Sequence, residues 1–226
     1  MSVDALLDTL RTELSDNAVL VDEQAITKHS SDWSGETAVV PPRAVIRPQS
    51  TSEVSLLLKY CHQAEQAIAI QGGLTGLSAG AVPEQNELAV SLERMSGIEE
   101  IDTDAMTMTV LSGTPLQTIQ EAAAAADLSF PLDLGARGSC SIGGNVSTNA
   151  GGNQVIRFGM TRALVLGLEA VLADGTVISS LNKMLKNNAG YDLKHLFIGT
   201  EGTLGVVTRV VLRLNPRLSS RCSALC

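Results

Sequence analysis

The stretch PLDLGARGSCSIGGNVSTNAGGNQVIRFG, residues 131–159, carries glycine at Gly135, Gly138, Gly143, Gly144, Gly151, Gly152 and Gly159, mixed with Ser, Thr and Asn and nearly free of charge. Glycine lacks a Cβ and accepts positive φ, so such a stretch can bring bare backbone N–H groups close to a large ligand. On its own it fits an irregular surface loop equally well. Two further stretches of the same character shift the balance: QGGLTGLSAG at 71–80 and IGTEGTLG at 198–205. Three glycine-rich turns, each following an apolar run, point to one extended ligand laid across several loops.

The chain has 226 residues, 44% of them hydrophobic and 18% charged, the balance of a folded globular protein with length enough for a real core. Aromatic residues make up only 3% and the net charge is −8, which together argue against nucleic acid as a partner. An anionic ligand would have to be held by oriented backbone dipoles more than by Lys and Arg. The apolar runs are too short to span a bilayer. Residues 1–11 lack the basic start and apolar middle of a secretory signal, so the expected location is cytoplasmic. Cys61, Cys140, Cys222 and Cys226 show no metal-ligand spacing and are expected as free thiols.

Along the chain, Val3, Leu6, Leu7, Leu10 and Leu14 repeat at helical spacing behind Ser2 as N-cap. AVI at 44–46 is a strand. Ser50 and Glu53 form a capping box for a helix with Val54, Leu57, Leu58 and Cys61 on one face. AIAI at 67–70 is a second strand, and this β-α-β order predicts a parallel pair with a right-handed crossover. ELAVSL at 87–92, IEEID from 98 and MTMTVLS to 112 are further strands, and 114–127 is a helix with Leu116, Ile119 and Ala123 inward. LVLGLEAVLADGTVIS is a hairpin turning at Asp174-Gly175. A short helix in NAGYDLKHLFIG and a last strand, LGVVTRVVLRL, complete the pattern.

No P-loop, no G-x-G-x-x-G and no G-x-S-x-G occurs, which excludes a P-loop NTPase and leaves a Rossmann site or a nucleophile elbow without support. His29, His62 and His195 lie far apart, and none sits in a metal-ligand pattern. Asp192 reads as a cap or turn former. Glu201, inside the third glycine turn, is placed to accept from a ribose hydroxyl or a backbone N–H. No acid–base pair stands out.

QGGLTGLSAGAVP, PLDLGARGSCSIGGNVSTNAGG, VLGLEAVLADGTV and NNAGYDLKHLFIGTEGTLG, in this order, resemble the FAD-binding domain of the vanillyl-alcohol oxidase superfamily. Within it they are most similar to the FAD-linked D-2-hydroxyacid dehydrogenases, a group that includes D-2-hydroxyglutarate dehydrogenase, D-lactate dehydrogenase and the glycolate oxidase flavin subunit. The resemblance spans about residues 30–214. It implies an α+β fold of the PCMH type: two packed α/β lobes, the first with βαβ character, the second a mainly antiparallel sheet with flanking helices. The expected divisions are a helical segment 1–36, lobes 37–97 and 98–216, and an unstructured tail 217–226.

The same resemblance implies that Gln71, Gly72, Gly73, Leu74, Thr75, Gly76 and Leu77 wrap the FAD pyrophosphate through backbone N–H groups. Pro131, Leu132, Ser139, Cys140 and Ser141 would run along the flavin and phosphates. Gly143, Gly144, Asn145, Thr148, Asn149, Gly151 and Gly152 would continue that wall, and Glu201, Gly202, Gly205, Val206 and Val207 would close the far side. Two positions depart from the family: Leu74 stands for a common Gly or Asn, and Ala79 for a common Gly. If either needs φ > 0, the substitution costs on the order of 1 kcal/mol. Relatives with covalent flavin carry His near position 74, so Leu74 implies dissociable FAD. The substrate half of such enzymes has no counterpart here. The expected function is therefore the FAD-binding domain of an enzyme oxidising a D-2-hydroxy acid to the 2-oxo acid. Its substrate would be held through a missing domain or a partner subunit, its electron acceptor is unassigned, and the alternative is a non-catalytic flavin-binding subunit.

Overall fold

The computed structural model describes residues 2–220 and residue 222. The first lobe opens with α1 (Val3–Glu13), whose Ser2 cap accepts from the Ala5 N–H. It continues through β1 (Val19–Leu20), α2 (Glu23–Lys28), β2 (Val45–Ile46), α3 (Thr51–Gln63), β3 (Ile68–Gln71) and β4 (Leu88–Ser91). The second lobe holds β5 (Ile98–Asp102), β6 (Thr107–Leu111), α4 (Leu116–Ala125), β7 (Leu128–Ser129), α5 (Ile142–Ser147), α6 (Val155–Phe158) and α7 (Thr161–Leu164). It ends with β8 (Val165–Val171), β9 (Val177–Ser180), α8 (Lys194–Phe197), β10 (Val206–Arg213) and β11 (Asn215–Pro216).

The first sheet runs β1-β2-β4-β3, with β4 parallel to both β2 and β3 and β1 antiparallel to β2. The expected direct pairing of the strands flanking α3 is thus corrected, because β4 inserts between them. All four residues of β4 are buried, and a strand apolar on both faces belongs in the middle of a sheet. Leu6, Leu7 and Leu10 of α1 pack with Leu57 and Cys61 of α3 over Ile46, Leu88 and Val90. Residues 1–36 therefore help build the first lobe, supplying both a strand and part of its core.

The Ser50 hydroxyl accepts from the Glu53 N–H, as a capping box requires. The Glu53 carboxylate turns to the Gln49 and Ser15 N–H groups and so stitches α3 to the end of α1.

The second sheet, β5-β6-β10-β8-β9, is antiparallel throughout. β10 sits at its centre and β8-β9 is the Asp174-Gly175 hairpin, with Gly175 at φ 87° as the turn requires. Leu116, Ile119 and Ala123 of α4 pack on Met108, Val110, Val210 and Leu212. Three short helices, α5 to α7, occupy residues read from sequence as loop or strand, and β11 pairs with β7 after the strand expected to be last.

The lobes meet along α3. Val54 and Leu58 join Leu92, Met95, Val171 and Val206 in an apolar cluster, and the Ser55 hydroxyl donates to the Gly175 carbonyl at 2.6 Å. Cys61, Cys140 and Cys222 are free thiols, and burial pushes the Cys61 thiol up to about 12. Cys226 and half of the tail 217–226 lie outside the described residues. Among the described residues no helix is long and apolar enough to cross a membrane.

Candidate cofactor site

The three glycine stretches converge. A Cβ on Gly73 would stand 1.9 Å from the Ser139 carbonyl oxygen, and one on Gly72 2.5 Å from Ser141 Oγ, so the first and second stretches touch backbone to backbone. The third is pinned to the C-terminal end of α5, where the Gly199 and Glu201 N–H groups donate to the Val146 and Ser147 carbonyls at 3.1 and 2.9 Å. The Arg162 guanidinium backs this turn by donating to the His195 and Ile198 carbonyls. The Glu201 carboxylate reaches across to Gly80, with Oε2 3.0 Å from where a Cβ would stand.

Between the stretches lies a cleft of about 680 Å³, within the range that holds a cofactor-sized ligand. Gly72 to Leu77, Cys140, Ser141, Gly143, Gly144, Asn145, Thr148, Glu201, Gly202, Val206 and Val207 all line it. The other expected residues stand behind the wall. Gln71 is fully buried, Pro131 and Leu132 are buried, with Leu132 in the core of the second lobe, and Asn149 accepts the Arg162 N–H. Gly152 packs on the Asp133 carbonyl, Gly151 on Val155, and Gly205 on Phe197. Ser139 faces a smaller recess of about 250 Å³ beside Lys28, His29 and Glu93.

Sequence reasoning missed Trp33, Ile70, Leu92 and Leu134 among the lining residues. Trp33 had a signal, as the one tryptophan in a polar stretch. It remains 58% exposed at the edge of the cleft, and its backbone N–H donates to the Leu74 carbonyl at 3.2 Å.

Whether these residues fit an anionic dinucleotide turns on donors. Among the described residues no Lys or Arg lines the cleft. The first amides of α5 are already taken: Ile142 donates to the Thr114 carbonyl, Gly143 to the Ser112 carbonyl and Gly144 to Ser141 Oγ. The first loop differs, since no amide from Gly72 to Ala81 donates to another described protein atom. A run of free N–H groups lining a cleft is a cradle for phosphate oxygens. Behind the loop, the buried Asp32 Oδ2 has no partner and lies 3.4 Å from where a Gly76 Cβ would be, but Asp32 does not line the cleft. The residues fit FAD, and it is the first loop, with its free amides, that carries the anion-binding capacity.

Four of the nine described non-glycine residues at positive φ fall in these turns. Leu74 and Ala79 adopt φ 55° and 57°, so the two departures from the family do occupy left-handed positions, as do Asn149 and Glu201 at φ 48° and 54°. Ala79→Gly should raise the urea midpoint of the FAD-free protein. Relief of the left-handed cost of roughly 1–2 kcal/mol outweighs the added unfolded-state freedom of glycine, roughly 0.4–1 kcal/mol. A lowered midpoint would show the position to be unstrained.

The remaining candidates take structural roles. Asp192 pairs with Lys194 at 2.5 Å and with His195 Nε2 at 3.3 Å, and the Lys194 hydrogen bond holds its carboxyl below the ordinary range. His29 is buried, with Nδ1 2.7 Å from Gln71 Oε1. Burial holds its imidazole below 6.5. Among the described residues no cluster of His, Cys, Asp and Glu could hold a metal ion.

Residues 42–180 match the family described as "FAD binding domain". The chain is 44% identical over 207 residues to the rice (Oryza sativa subsp. indica) "Probable D-2-hydroxyglutarate dehydrogenase, mitochondrial", covering 92% of this chain and 37% of that protein. It is 42% identical over 202 residues to D-2-hydroxyglutarate dehydrogenase of Bos taurus, also mitochondrial, covering 89% and 37%. It superimposes on alkyldihydroxyacetonephosphate synthase with a TM-score of 0.83 over 96% of this chain and 41% of that one, at 19% identity, a likeness of fold. The chain thus spans 37% of the length of these two relatives. The mitochondrial relatives overturn the cytoplasmic expectation, which rested on a pattern that tests for secretion and not for import into an organelle. With a cleft that fits the cofactor and a family match over most of its length, the chain belongs to the FAD-binding domain family and takes FAD as its cofactor.

Proposed function

We propose that this chain is the FAD-holding domain of a D-2-hydroxyacid dehydrogenase acting on D-2-hydroxyglutarate or a close analogue. The observation that carries it is the cleft of converging glycine turns with free first-loop amides, in a chain 42–44% identical to D-2-hydroxyglutarate dehydrogenases. Bound FAD would supply a two-electron acceptor for the α-hydride of the substrate. The chain's own residues would do the holding: first-loop amides would bind the pyrophosphate, Glu201 would accept a ligand hydroxyl, and Val206, Val207 and Leu92 would form an apolar wall. The contacts to the substrate would come from the substrate half of the full-length enzyme or from a partner subunit. Leu74 offers no nucleophile to the flavin, so FAD is held without a covalent bond.

A second reading has one observation in its favour. Glu201 and Cys140 are the ionisable side chains lining the cleft, and neither has a basic partner there. On that reading the chain only holds flavin for a partner. The FAD-reconstituted protein, mixed anaerobically with D-2-hydroxyglutarate, D-lactate or glycolate, separates the two. Flavin bleaching by the first, and none by the L-enantiomer, supports the enzyme. Retained colour with FAD bound supports the flavin-holding subunit. Acid precipitation should leave the yellow colour in the supernatant, and colour in the pellet would overturn the non-covalent assignment.

A further inference from the structure

We propose that His29 and Gln71 form a clasp that shapes the first cofactor loop before FAD arrives, which makes the segment from α2 to Trp33 a positioning element of the site. Gln71 ends β3 and is fully buried. Its Nε2 donates to the Ala81 carbonyl at 2.8 Å and to the His29 carbonyl at 2.8 Å, while its Oε1 lies 2.7 Å from His29 Nδ1. One amide therefore joins the start of the loop, its return and the end of α2.

With both Nε2 hydrogens directed at carbonyls, Oε1 must face the imidazole, and His29 Nδ1 must be the donor. Further along, the Trp33 N–H donates to the Leu74 carbonyl, so the tip of the loop is tied to the same segment. Between these ties no amide from Gly72 to Ala81 is spent on the protein. The loop has no ladder of its own, and its shape is set from the stem while its N–H groups stay free. The family match begins at residue 42, so none of the anchoring segment belongs to it. The charged groups near His29 are Lys28, Arg47 and Glu93, and both cations pair with Glu93, at 2.7 and 3.0 Å.

The test uses the whole chain with and without FAD. His29→Leu and Gln71→Met remove the clasp, whereas His29→Asn keeps a donor where Nδ1 stands. For the first two, exchange of the Trp33 and Val82 amides, which donate to the Leu74 and Ala79 carbonyls of the loop, should accelerate in the FAD-free protein, and the FAD Kd, from fluorescence quenching, should rise about 10- to 100-fold, the equivalent of one or two buried hydrogen bonds. Exchange in β6 and β10 should not change, and His29→Asn should stay close to wild type. Wild-type exchange rates and FAD affinity in His29→Leu would overturn the clasp. A second measurement needs no variant: nitrogen-resolved NMR of the wild-type chain should show a slowly exchanging proton on His29 Nδ1, and an Nε2–H tautomer would overturn the clasp even if the variants fail to fold. The affinity arm rests on FAD being the ligand. Failure of wild type to bind FAD would overturn that assignment, while the exchange and tautomer arms would still decide the clasp.

Discussion

Replacing Gly73 by alanine is expected to yield a chain that no longer retains FAD. The added Cβ would stand 1.9 Å from the Ser139 carbonyl oxygen, 2.8 Å from its carbon and 2.9 Å from Cys140 Cα. All three atoms are main chain, so no side chain can swing aside. The second stretch cannot retreat easily either, because the Ser139 and Cys140 amides donate to Ala136 and the Cys140 carbonyl accepts from Leu116 at the head of α4. The first loop must therefore move, and with it the free amides proposed to hold the pyrophosphate. Overpacking of this kind costs about 1–3 kcal/mol in stability, but the larger loss falls on binding, since the cradle is displaced relative to its opposite wall. Gly135→Ala is the contrasting variant. Its Cβ would meet nothing within 4 Å, so stability should be unchanged and any fall in FAD affinity would report the ligand's own approach. Visible spectra after reconstitution, with urea midpoints of both FAD-free variants, read the two effects apart. Unchanged FAD affinity in Gly73→Ala would mean that contact between the first two stretches does not set the cradle.

What the residues disclosed in advance was largely local. Caps at Ser2 and Ser50, the helical stripe Leu116, Ile119 and Ala123, and the turn pair Asp174-Gly175 each act within a few residues, and all four formed as expected. Strand order did not yield to the same reasoning. The place of β4 between β2 and β3 is decided by which strand can be buried on both faces, a comparison across elements. α5 was hidden because Gly143 and Gly144 obscure its helical pattern, although Ser141 caps it in the ordinary way. The cleft itself was legible, since three stretches poor in side chains do meet there. Which residues face it was less so. In β3 burial alternates, Ala69 and Gln71 inward and Ile68 and Ile70 only half-buried. AIAI is apolar at every position, so the residues gave no inward face in advance, and the motif resemblance put Gln71 on the ligand where the structure buries it.

Glu169→Ala should destabilise the chain by about 2–4 kcal/mol, because it strands groups that meet at the junction of the lobes. Glu169 is 6% exposed on β8, and its Oε1 accepts from the Thr51 hydroxyl at 2.6 Å and from the Thr208 hydroxyl at 3.0 Å. Its Oε2 lies 3.8 Å from the Arg209 guanidinium, which is held in turn by Glu99. Thr51 opens α3 in the first lobe, and Thr208 sits where the β10–β8 register shifts, between Val207 and Arg209. The carboxylate is thus a polar tie between lobes, beside the apolar cluster whose Leu92 and Val206 also line the cleft. Alanine leaves the half-buried Thr51 hydroxyl without its acceptor and the buried Thr208 hydroxyl with only the Glu169 carbonyl at 3.5 Å, while Arg209 keeps its pair with Glu99. Glutamine keeps the volume and one acceptor, and should lose about half as much. Urea denaturation of the FAD-free variants measures these differences, and FAD titration of the folded fraction measures what they do to the cleft. A loss below about 1 kcal/mol in Glu169→Ala would put this tie in the range of an exposed ion pair. The apolar cluster and the Ser55–Gly175 hydrogen bond would then hold the lobes in register, and FAD affinity should not respond to the substitution at all.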